Sequence, residues 1–340
     1  MGQILYVSLQ DDERILCYRI DEATGRLDER ASVSVPGGPA PLALAPGGRV
    51  LYAGLRGRAG LAWLARDPAS GALRLGGTIP LETDPCFLAT DRAGRFLFSA
   101  YYRAGLVGVH PLLPDGSIGP SPTEWRATAV NAHALQADPD NRYAFVAHTG
   151  PNLILQFRFD AATGRLIPND PPRAEPPAGV GPRHFCFHPG GRLVLFSNEL
   201  ASSVSSYRFD PATGALSLLE TVSTLPAGFS GTNTCAQIHL APDGRFVYVS
   251  NRGHDSIAAV AVDADSGRLR LLAAVSSEPV PRAFALDVGG RYLYAAGQES
   301  GRLAAYAVRS DGLLSPIANV ALGRKPMWVV AETASGERRV

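Results

Sequence analysis

Short apolar segments recur along the whole chain, and a polar turn separates each segment from the next. Six pairs of segments share one plan, in which a strand, a turn carrying Gly-Arg or Asn-Arg, and a second strand follow in order. Turns of this composition suit tight strand reversals that need a positive φ. The six predicted hairpins are PLALAPGGRVLYAG (41–54), PCFLATDRAGRFLFSA (85–100), AHALQADPDNRYAFVA (132–147), RHFCFHPGGRLVLFSN (183–198), AQIHLAPDGRFVYVS (236–250) and RAFALDVGGRYLYAA (282–296).

A second kind of turn, typified by DEATGRL at 21–27 and DPATGAL at 210–216, occurs seven times. Its glycines recur at intervals of about 45 to 53 residues, which is room for four short strands in each repeat. Seven repeats of four strands predict seven propeller blades. The repeated glycines are Gly25, Gly71, Gly116, Gly164, Gly214, Gly267 and Gly312.

The count of seven second turns against six hairpins predicts how the ring closes. The segment PMWVVAET (326–333) would supply an inner strand whose partner is ILYVSL (4–9), so that the two chain ends pair in one blade. Such closure removes the edge strands that an open array would expose. We therefore expect an all-β, seven-bladed β-propeller with four antiparallel strands per blade, in one domain spanning 1–340.

Composition narrows the possible partners and the compartment. The 340 residues are 46% hydrophobic and carry a net charge of +1, which gives no electrostatic footprint for nucleic acid or for a membrane surface. We expect neither a secretory signal nor a transit peptide at the N-terminus, where a short apolar run is followed at once by acidic residues. Four scattered cysteines without a CxxC motif favour buried free thiols over a disulfide or a metal site. We expect a reduced, cytoplasmic protein that is a monomer or a weak dimer.

Candidate chemistry gathers on one face of the predicted propeller. With the four strands of a blade called a to d in chain order, the a-b and c-d turns lie on the opposite face. The variable b-c loops and the crossovers between blades lie on this face, where a functional site is commonly found. Arg183 and His184 begin an inner strand there, and Glu199 follows the next strand. His133 is expected at the same position one blade earlier, with Arg252 and Arg282 in later blades. Gln298 and Glu299 follow the second strand of the sixth blade. Together these residues would form an anion-binding pocket with acid and base chemistry available.

The segments GPRHFCFHP, NELASSV, SNRGHDSIA, PRAFALD, AAGQESG and PMWVV, in this order, resemble the seven-bladed propeller lactonases. The bacterial 6-phosphogluconolactonases are the most similar, and the fungal carboxymuconate-lactonizing enzymes share the propeller. The resemblance covers essentially the whole chain. It implies hydrolysis of 6-phosphoglucono-1,5-lactone in the cytoplasmic pentose phosphate route, without a cofactor.

Carried over to this sequence, the family's polar pocket would contain His133, Arg183, Glu199 and Arg252, with Arg282 and Gln298 as further candidates. We expect Glu199 or His133 to take a proton from water and Arg183 to take part in the reaction. Arg252, Arg282, Gln298 and Lys325 would then bind substrate. Two positions depart from the family. Gln237 replaces a frequently acidic residue, and Lys325 replaces a common glycine, so that it could add a phosphate contact.

Structural roles are the alternative for each candidate. Arg183 could cap a strand or form a salt bridge with Glu199, and His133 could be a hydrogen-bonded structural histidine. Because successive side chains alternate along a strand, we expect His184 to be buried between blades. No dense carboxylate cluster indicates a metal, although metal-dependent propeller lactonases exist. A non-enzymatic binding propeller, and a lactonase or cycloisomerase for another acid, are the alternative functions.

Overall fold

The computed structural model describes residues 2–334, which form seven four-stranded antiparallel sheets and no helix. In particular, these residues include no helix of the length and apolarity that crossing a bilayer requires. We number the blades in chain order, so that blade 7 combines the two ends of the chain.

The first three blades follow one another along the chain. Blade 1 contains β4 (Pro39–Leu44), β5 (Val50–Leu55), β6 (Gly60–Arg66) and β7 (Leu73–Pro80). Blade 2 contains β8 (Phe87–Thr90), β9 (Phe96–Tyr101), β10 (Leu106–Pro111) and β11 (Glu124–Ala127). Blade 3 contains β12 (Ala132–Ala137), β13 (Tyr143–His148), β14 (Leu153–Asp160) and β15 (Arg165–Ala174).

The remaining four blades complete the ring. Blade 4 contains β16 (Pro182–Phe187), β17 (Leu193–Asn198), β18 (Ser203–Phe209) and β19 (Leu216–Ser223). Blade 5 contains β20 (Thr234–Leu240), β21 (Phe246–Arg252), β22 (Ser256–Val262) and β23 (Leu269–Ser276). Blade 6 contains β24 (Pro281–Leu286), β25 (Tyr292–Gly297), β26 (Arg302–Val308) and β27 (Leu314–Ala321). Blade 7 contains β28 (Pro326–Thr333), β1 (Gln3–Leu9), β2 (Arg14–Ile20) and β3 (Leu27–Ser34).

The pairing of β28 with β1 confirms the predicted closure. The strands are antiparallel, with Ile4 opposite Glu332 and Ser8 opposite Trp328. Every residue of β1 is buried, because β2 and β28 flank it in the sheet and the neighbouring blades cover its faces. The N-terminal strand β1 is therefore enclosed within blade 7, between β28 and β2.

Burial along each blade follows the distance from the axis. Six of the seven second strands, such as β5 and β17, are buried at every position, because adjacent blades cover both of their faces, and β21 is half-buried only at its two ends. The outer strand β7 alternates half-buried and exposed residues with a period of two, as a strand with one solvent face does. The hydrophobic core consequently lies between the blades.

The second-turn glycines also join neighbouring blades. Gly312 has a φ of +83°, and its carbonyl oxygen accepts a hydrogen bond of 2.9 Å from the hydroxyl of Tyr248 in blade 5. A Cβ atom at Gly312 would lie 2.3 Å from the ring of Phe246. The backbone conformation and the close contact both require glycine here, which explains the repetition of this residue along the sequence.

Candidate active site

Bulges at the beginning of three inner strands set the direction of the first group of polar side chains. The register of β12, β16 and β24 with their partner strands shifts there, and the residues that lie outside the register are His133, Arg183 and Arg282. A bulge gives a side chain a direction that regular pleating would not. His133 and Arg183 are buried, and Arg282 is half-buried. The sequence-based placement of these three residues in equivalent positions is confirmed.

A second group lies at the ends of the second strands. Glu199 directly follows β17, Gln298 directly follows β25, and Arg252 is the last residue of β21. The expectation that Arg252 begins an inner strand is therefore wrong, because it occupies the position of Glu199 one blade later. In blade 5 the inner-strand position contains Ala236 instead.

Glu199 lies between two arginines from different blades. Its Oε1 accepts a hydrogen bond of 2.5 Å from Nη2 of Arg252, and this same nitrogen donates to the carbonyl oxygen of Cys235 at 2.9 Å. The Oε2 atom lies 3.4 Å from Nε of Arg183, an ion-pair contact without hydrogen-bond geometry. The side chain of Arg183 is only 2% exposed. The salt bridge that was an alternative role for Arg183 is present, within a cluster of three charged side chains.

The charges in this cluster shift one another's pKa values. Burial alone would raise the pKa of Glu199, but the positive charges of Arg183, Arg252 and Arg282 outweigh it and hold that pKa below its usual value. Burial lowers the pKa of Arg183 to about 10 and that of Arg282 to about 9, and neighbouring guanidinium groups add to both shifts. At neutral pH the carboxylate is therefore ionised and the arginines are protonated.

Two histidines next to this cluster, His133 and His184, are neutral at the same pH. Burial, reinforced by the charge of Arg183, lowers the pKa of His133 and of His184 well below the ordinary value. His184 does not lie between blades as expected, since its ring contacts Phe87, His133 and Trp328 from the inner strands of three other blades. The bulge at Arg183 explains the difference, because the alternation of side chains fails at a bulge.

Several polar atoms of the candidate site residues are buried without a hydrogen-bond partner among residues 2–334. Buried polar atoms in native proteins are nearly always paired with protein or with water, so these atoms can bind water or a ligand. The histidine and carboxylate atoms concerned could accept a proton. The atoms are Nδ1 of His133, Nε of Arg183, Oε2 of Glu199, Nε of Arg252 and Oε1 of Gln298.

A cavity of about 260 Å³ opens beside Arg282 between blades 6, 7, 1 and 2. Four cationic side chains and one carboxylate line it, which leaves an excess of three positive charges. It brings together three of the predicted substrate-binding residues, Arg282, Gln298 and Lys325. The lining residues are Gln10, Arg56, Asp84, Arg103, Arg282, Gln298, Lys325 and Met327.

Arg56 and Arg103 are cavity residues that the sequence analysis did not single out. Arg56 directly follows β5, in the blade position of Glu199, and Arg103 lies two residues beyond β9. Aligning the ends of the second strands across all seven blades would have identified Arg56. No comparable sequence pattern marks Arg103, because the loop after β9 resembles the corresponding loops of the other blades only in its position.

Lys325 and Gln237, where the resemblance implies other residues, have different surroundings. Lys325 has a φ of +56°, a left-handed conformation in which glycine has no steric cost, and its Nζ lies 3.5 Å from Asp11. Gln237 is buried, and its Oε1 accepts a hydrogen bond of 2.9 Å from the backbone of Phe284 in the next blade. Gln237 therefore connects two inner strands. Over the described part of the chain, no group of three or more His, Cys, Asp or Glu side chains is placed to hold a metal ion.

Comparison with known proteins identifies the family. The family described as "Lactonase, 7-bladed beta-propeller" matches residues 2–331. Over 330 residues the chain is 36% identical to the 6-phosphogluconolactonase of Pectobacterium carotovorum subsp. carotovorum (strain PC1), covering 97% of this chain and 98% of that protein. It is 35% identical to the 6-phosphogluconolactonase of Sodalis glossinidius with the same coverage. The structure of a periplasmic gluconolactonase from Pseudomonas aeruginosa superposes with a TM-score of 0.88 at 28% identity, covering 97% of this chain and 99% of that one. The chain belongs to the seven-bladed β-propeller lactonase family.

Proposed function

We propose that this protein hydrolyses 6-phosphoglucono-1,5-lactone to 6-phosphogluconate. The observation that carries the proposal is the cluster formed by Glu199, Arg183 and Arg252 beside a cationic cavity, in a chain whose full-length relatives are named for this reaction. A phosphorylated lactone needs a cationic site for its phosphate and stabilisation of the negative charge that develops at its carbonyl oxygen. The face of the propeller that carries the site supplies both.

The reaction adds one water molecule to the lactone. The water oxygen bonds to C1, and the carbonyl oxygen becomes negatively charged. The bond from C1 to the ring oxygen then breaks, and the ring oxygen takes up the proton that the water gave to the base and becomes the hydroxyl on C5. The new carboxylic acid ionises and releases one proton to the solution. Arg183 stabilises the negative oxygen, because a buried guanidinium acts on it with little screening by water. Arg252 and Arg282 bind the substrate on either side.

Two groups in the cluster can accept the proton from water. Glu199 is ionised, and its Oε2 has no hydrogen-bond partner among the described residues. His133 is neutral, and its Nδ1 is likewise unpaired within that part of the chain. We assign the proton transfer to Glu199, because it contacts both Arg183, which stabilises the negative oxygen, and Arg252, which binds the substrate, and we keep His133 as the second candidate.

Turnover of freshly prepared 6-phosphoglucono-1,5-lactone tests the proposal. Proton release by pure protein in a weakly buffered solution should exceed the spontaneous rate, and heat-denatured protein should not accelerate it. The rate should also survive prolonged treatment with a chelator, because the cluster consists mainly of arginines rather than carboxylates. An Arg192→Ala variant, which alters an exposed residue near the hairpin turn between β16 and β17, is the matched control and should retain the rate. A rate equal to the spontaneous one would refute the proposal.

The second candidate substrate is an unphosphorylated sugar lactone. It is favoured by the likeness to the periplasmic gluconolactonase of Pseudomonas aeruginosa. Glucono-1,5-lactone measured beside the phosphorylated compound separates the two substrates, since the preferred one should have the larger kcat/KM.

Three sequence-based expectations stay predictions. We propose that the chain is one domain, that it is cytoplasmic, and that it is a monomer or a weak dimer. The four free cysteines agree with a reducing compartment. A single cooperative unfolding transition, cell fractionation and light scattering would test the three statements in turn.

A further inference from the structure

The cavity beside Arg282 has more positive charge than its surroundings neutralise. Arg56 Nε lies 2.9 Å from Asp84, which pairs that guanidinium. Within residues 2–334, by contrast, neither Arg103 nor Arg282 has a carboxylate partner at ion-pair distance, and Lys325 reaches Asp11 only at 3.5 Å. Unpaired guanidinium groups around a small cavity are a suitable binding site for an anion with several oxygen atoms.

Lys325 differs from the other residues that line the cavity in its backbone conformation. Its φ of +56° lies in the left-handed region, which costs a side-chain-bearing residue conformational free energy and costs glycine almost none. The residue before the inner strand has the same conformation in other blades, as at Asn131 and Val280, so the conformation belongs to the fold, and the charge of the half-buried Lys325 is what distinguishes this position. The lysine adds a positive charge to the cavity at the expense of backbone strain.

We propose that the cavity lined by Arg56, Arg103, Arg282 and Lys325 binds the phosphate group of the substrate, and that Arg103 and Lys325 select phosphorylated over unphosphorylated lactones. This inference rests on the proposed function and deepens it. The fork of the Arg103 guanidinium can hold two phosphate oxygens, and the ammonium of Lys325 acts as a point charge. A volume of about 260 Å³ suits one end of a small ligand rather than the whole of it.

Arg282 connects this cavity with the reacting end of the site. It lines the cavity, and its charge acts on Glu199 and on Arg183. In 6-phosphoglucono-1,5-lactone the phosphate is carried through C6 on C5, and the carbonyl carbon C1 lies on the other side of the ring oxygen. A phosphate held at Arg103 and Lys325 would thus place the lactone ring at Arg282 and its carbonyl toward Arg183.

The test compares two lactones on two variants and one control. Arg103→Ala removes an exposed side chain, and Lys325→Gly removes the ammonium while relieving the backbone, so both variants should fold. Each should lower kcat/KM for 6-phosphoglucono-1,5-lactone by about tenfold or more and leave glucono-1,5-lactone nearly unchanged. Arg58→Ala, an exposed arginine of the same loop as Arg56 that does not line the cavity, should change neither.

A second measurement separates this inference from the proposed function. Inorganic phosphate should inhibit the wild type competitively or bind it in calorimetry, and both variants should weaken that binding. If the variants slow both lactones equally, or slow neither, the phosphate assignment is overturned while the proposed function stands. If the wild type hydrolyses neither lactone, the proposed function fails, and the binding of inorganic phosphate alone then tests whether the cavity is a phosphate site. Loss of phosphate binding in Arg103→Ala would then support the cavity, and unchanged binding would overturn it.

Discussion

Arg252 and Glu199 form a hydrogen bond of 2.5 Å between the ends of the second strands of two neighbouring blades. The same Nη2 of Arg252 also donates a hydrogen bond to the carbonyl oxygen of Cys235, which holds the guanidinium in position. One carboxylate oxygen is therefore fixed, and the other is left without a hydrogen bond among the described residues. Oε1 therefore holds the side chain of Glu199 in position, and Oε2 can accept a hydrogen bond from a water molecule.

Glu199→Gln should lower kcat by about a hundredfold or more with little change in KM, because the amide keeps the size of the carboxylate but cannot act as a base. The variant should also melt at a lower temperature than the wild type, since the buried Arg183 loses its counter-charge. Initial rates measured well below the melting temperature, with circular dichroism as a check on folding, separate the two effects. Full turnover by the folded variant would rule out Glu199 as the base.

His133→Gln should lower kcat less than Glu199→Gln does, because Glu199 is the proposed acceptor of the proton from water. The two variants need to be compared over a range of pH. In the wild type both groups are unprotonated at neutral pH, as their pKa values are held below the ordinary values. Activity should consequently fall only on the acid side of the usual histidine pKa. A larger loss in His133→Gln would transfer the role to the histidine.

Arg183→Ala should lower kcat/KM by about a hundredfold, the typical effect of losing a charged hydrogen-bond donor in a partly dry site. Arg183→Lys should recover little of this, since an ammonium lacks the planar fork of the guanidinium. Because Arg183 is 2% exposed, both variants need a melting curve beside the kinetics. Recovery of most activity by the lysine variant would show that only the charge matters at this position.

The repeated turns made the propeller predictable, because glycines such as Gly312 meet the same backbone and contact requirements in every blade. The closure by 326–333 followed from counting these turns. The direction of His184 and the strand position of Arg252 were wrong in the sequence analysis. A bulge depends on the pairing of two strands, which the order of residues in one strand does not show. Arg103 was missed because its role depends on blades distant in sequence.

Stability should decrease as the pH falls from about 6.5 to about 4, the interval defined by His110. Burial lowers the pKa of this histidine from 6.5 to about 4 in the folded protein. Between those values His110 binds a proton in the unfolded chain and not in the folded one, so acid favours unfolding, and this one histidine contributes about 1.4 kcal/mol for each pH unit. Chemical denaturation of the wild type at several pH values measures the slope.

His110→Gln should make that slope shallower, because the variant lacks one of the groups whose titration differs between the two states. Ser99→Ala is the matched control. It removes a hydrogen bond of 3.0 Å between the serine hydroxyl and Nε2 of His110 but keeps the imidazole. The control should therefore lose stability by a similar amount at every pH. Equal slopes in the wild type and in His110→Gln would show that His110 does not contribute to the pH dependence.

Deletion of residues 326–340 should cause aggregation, because it removes β28 from blade 7. The deletion exposes the edge of β1, a strand whose residues are all buried in the intact ring, and it removes the buried side chains of Met327 and Val329 from the interior. An unpaired apolar edge recruits other chains. Size-exclusion chromatography with light scattering, and a thermal melt, compare the product with a deletion of 335–340 that keeps every described strand. The shorter deletion should elute and melt as the full chain does. If the longer deletion also did so, the pairing of β1 with β28 would not be needed to hold the ring closed.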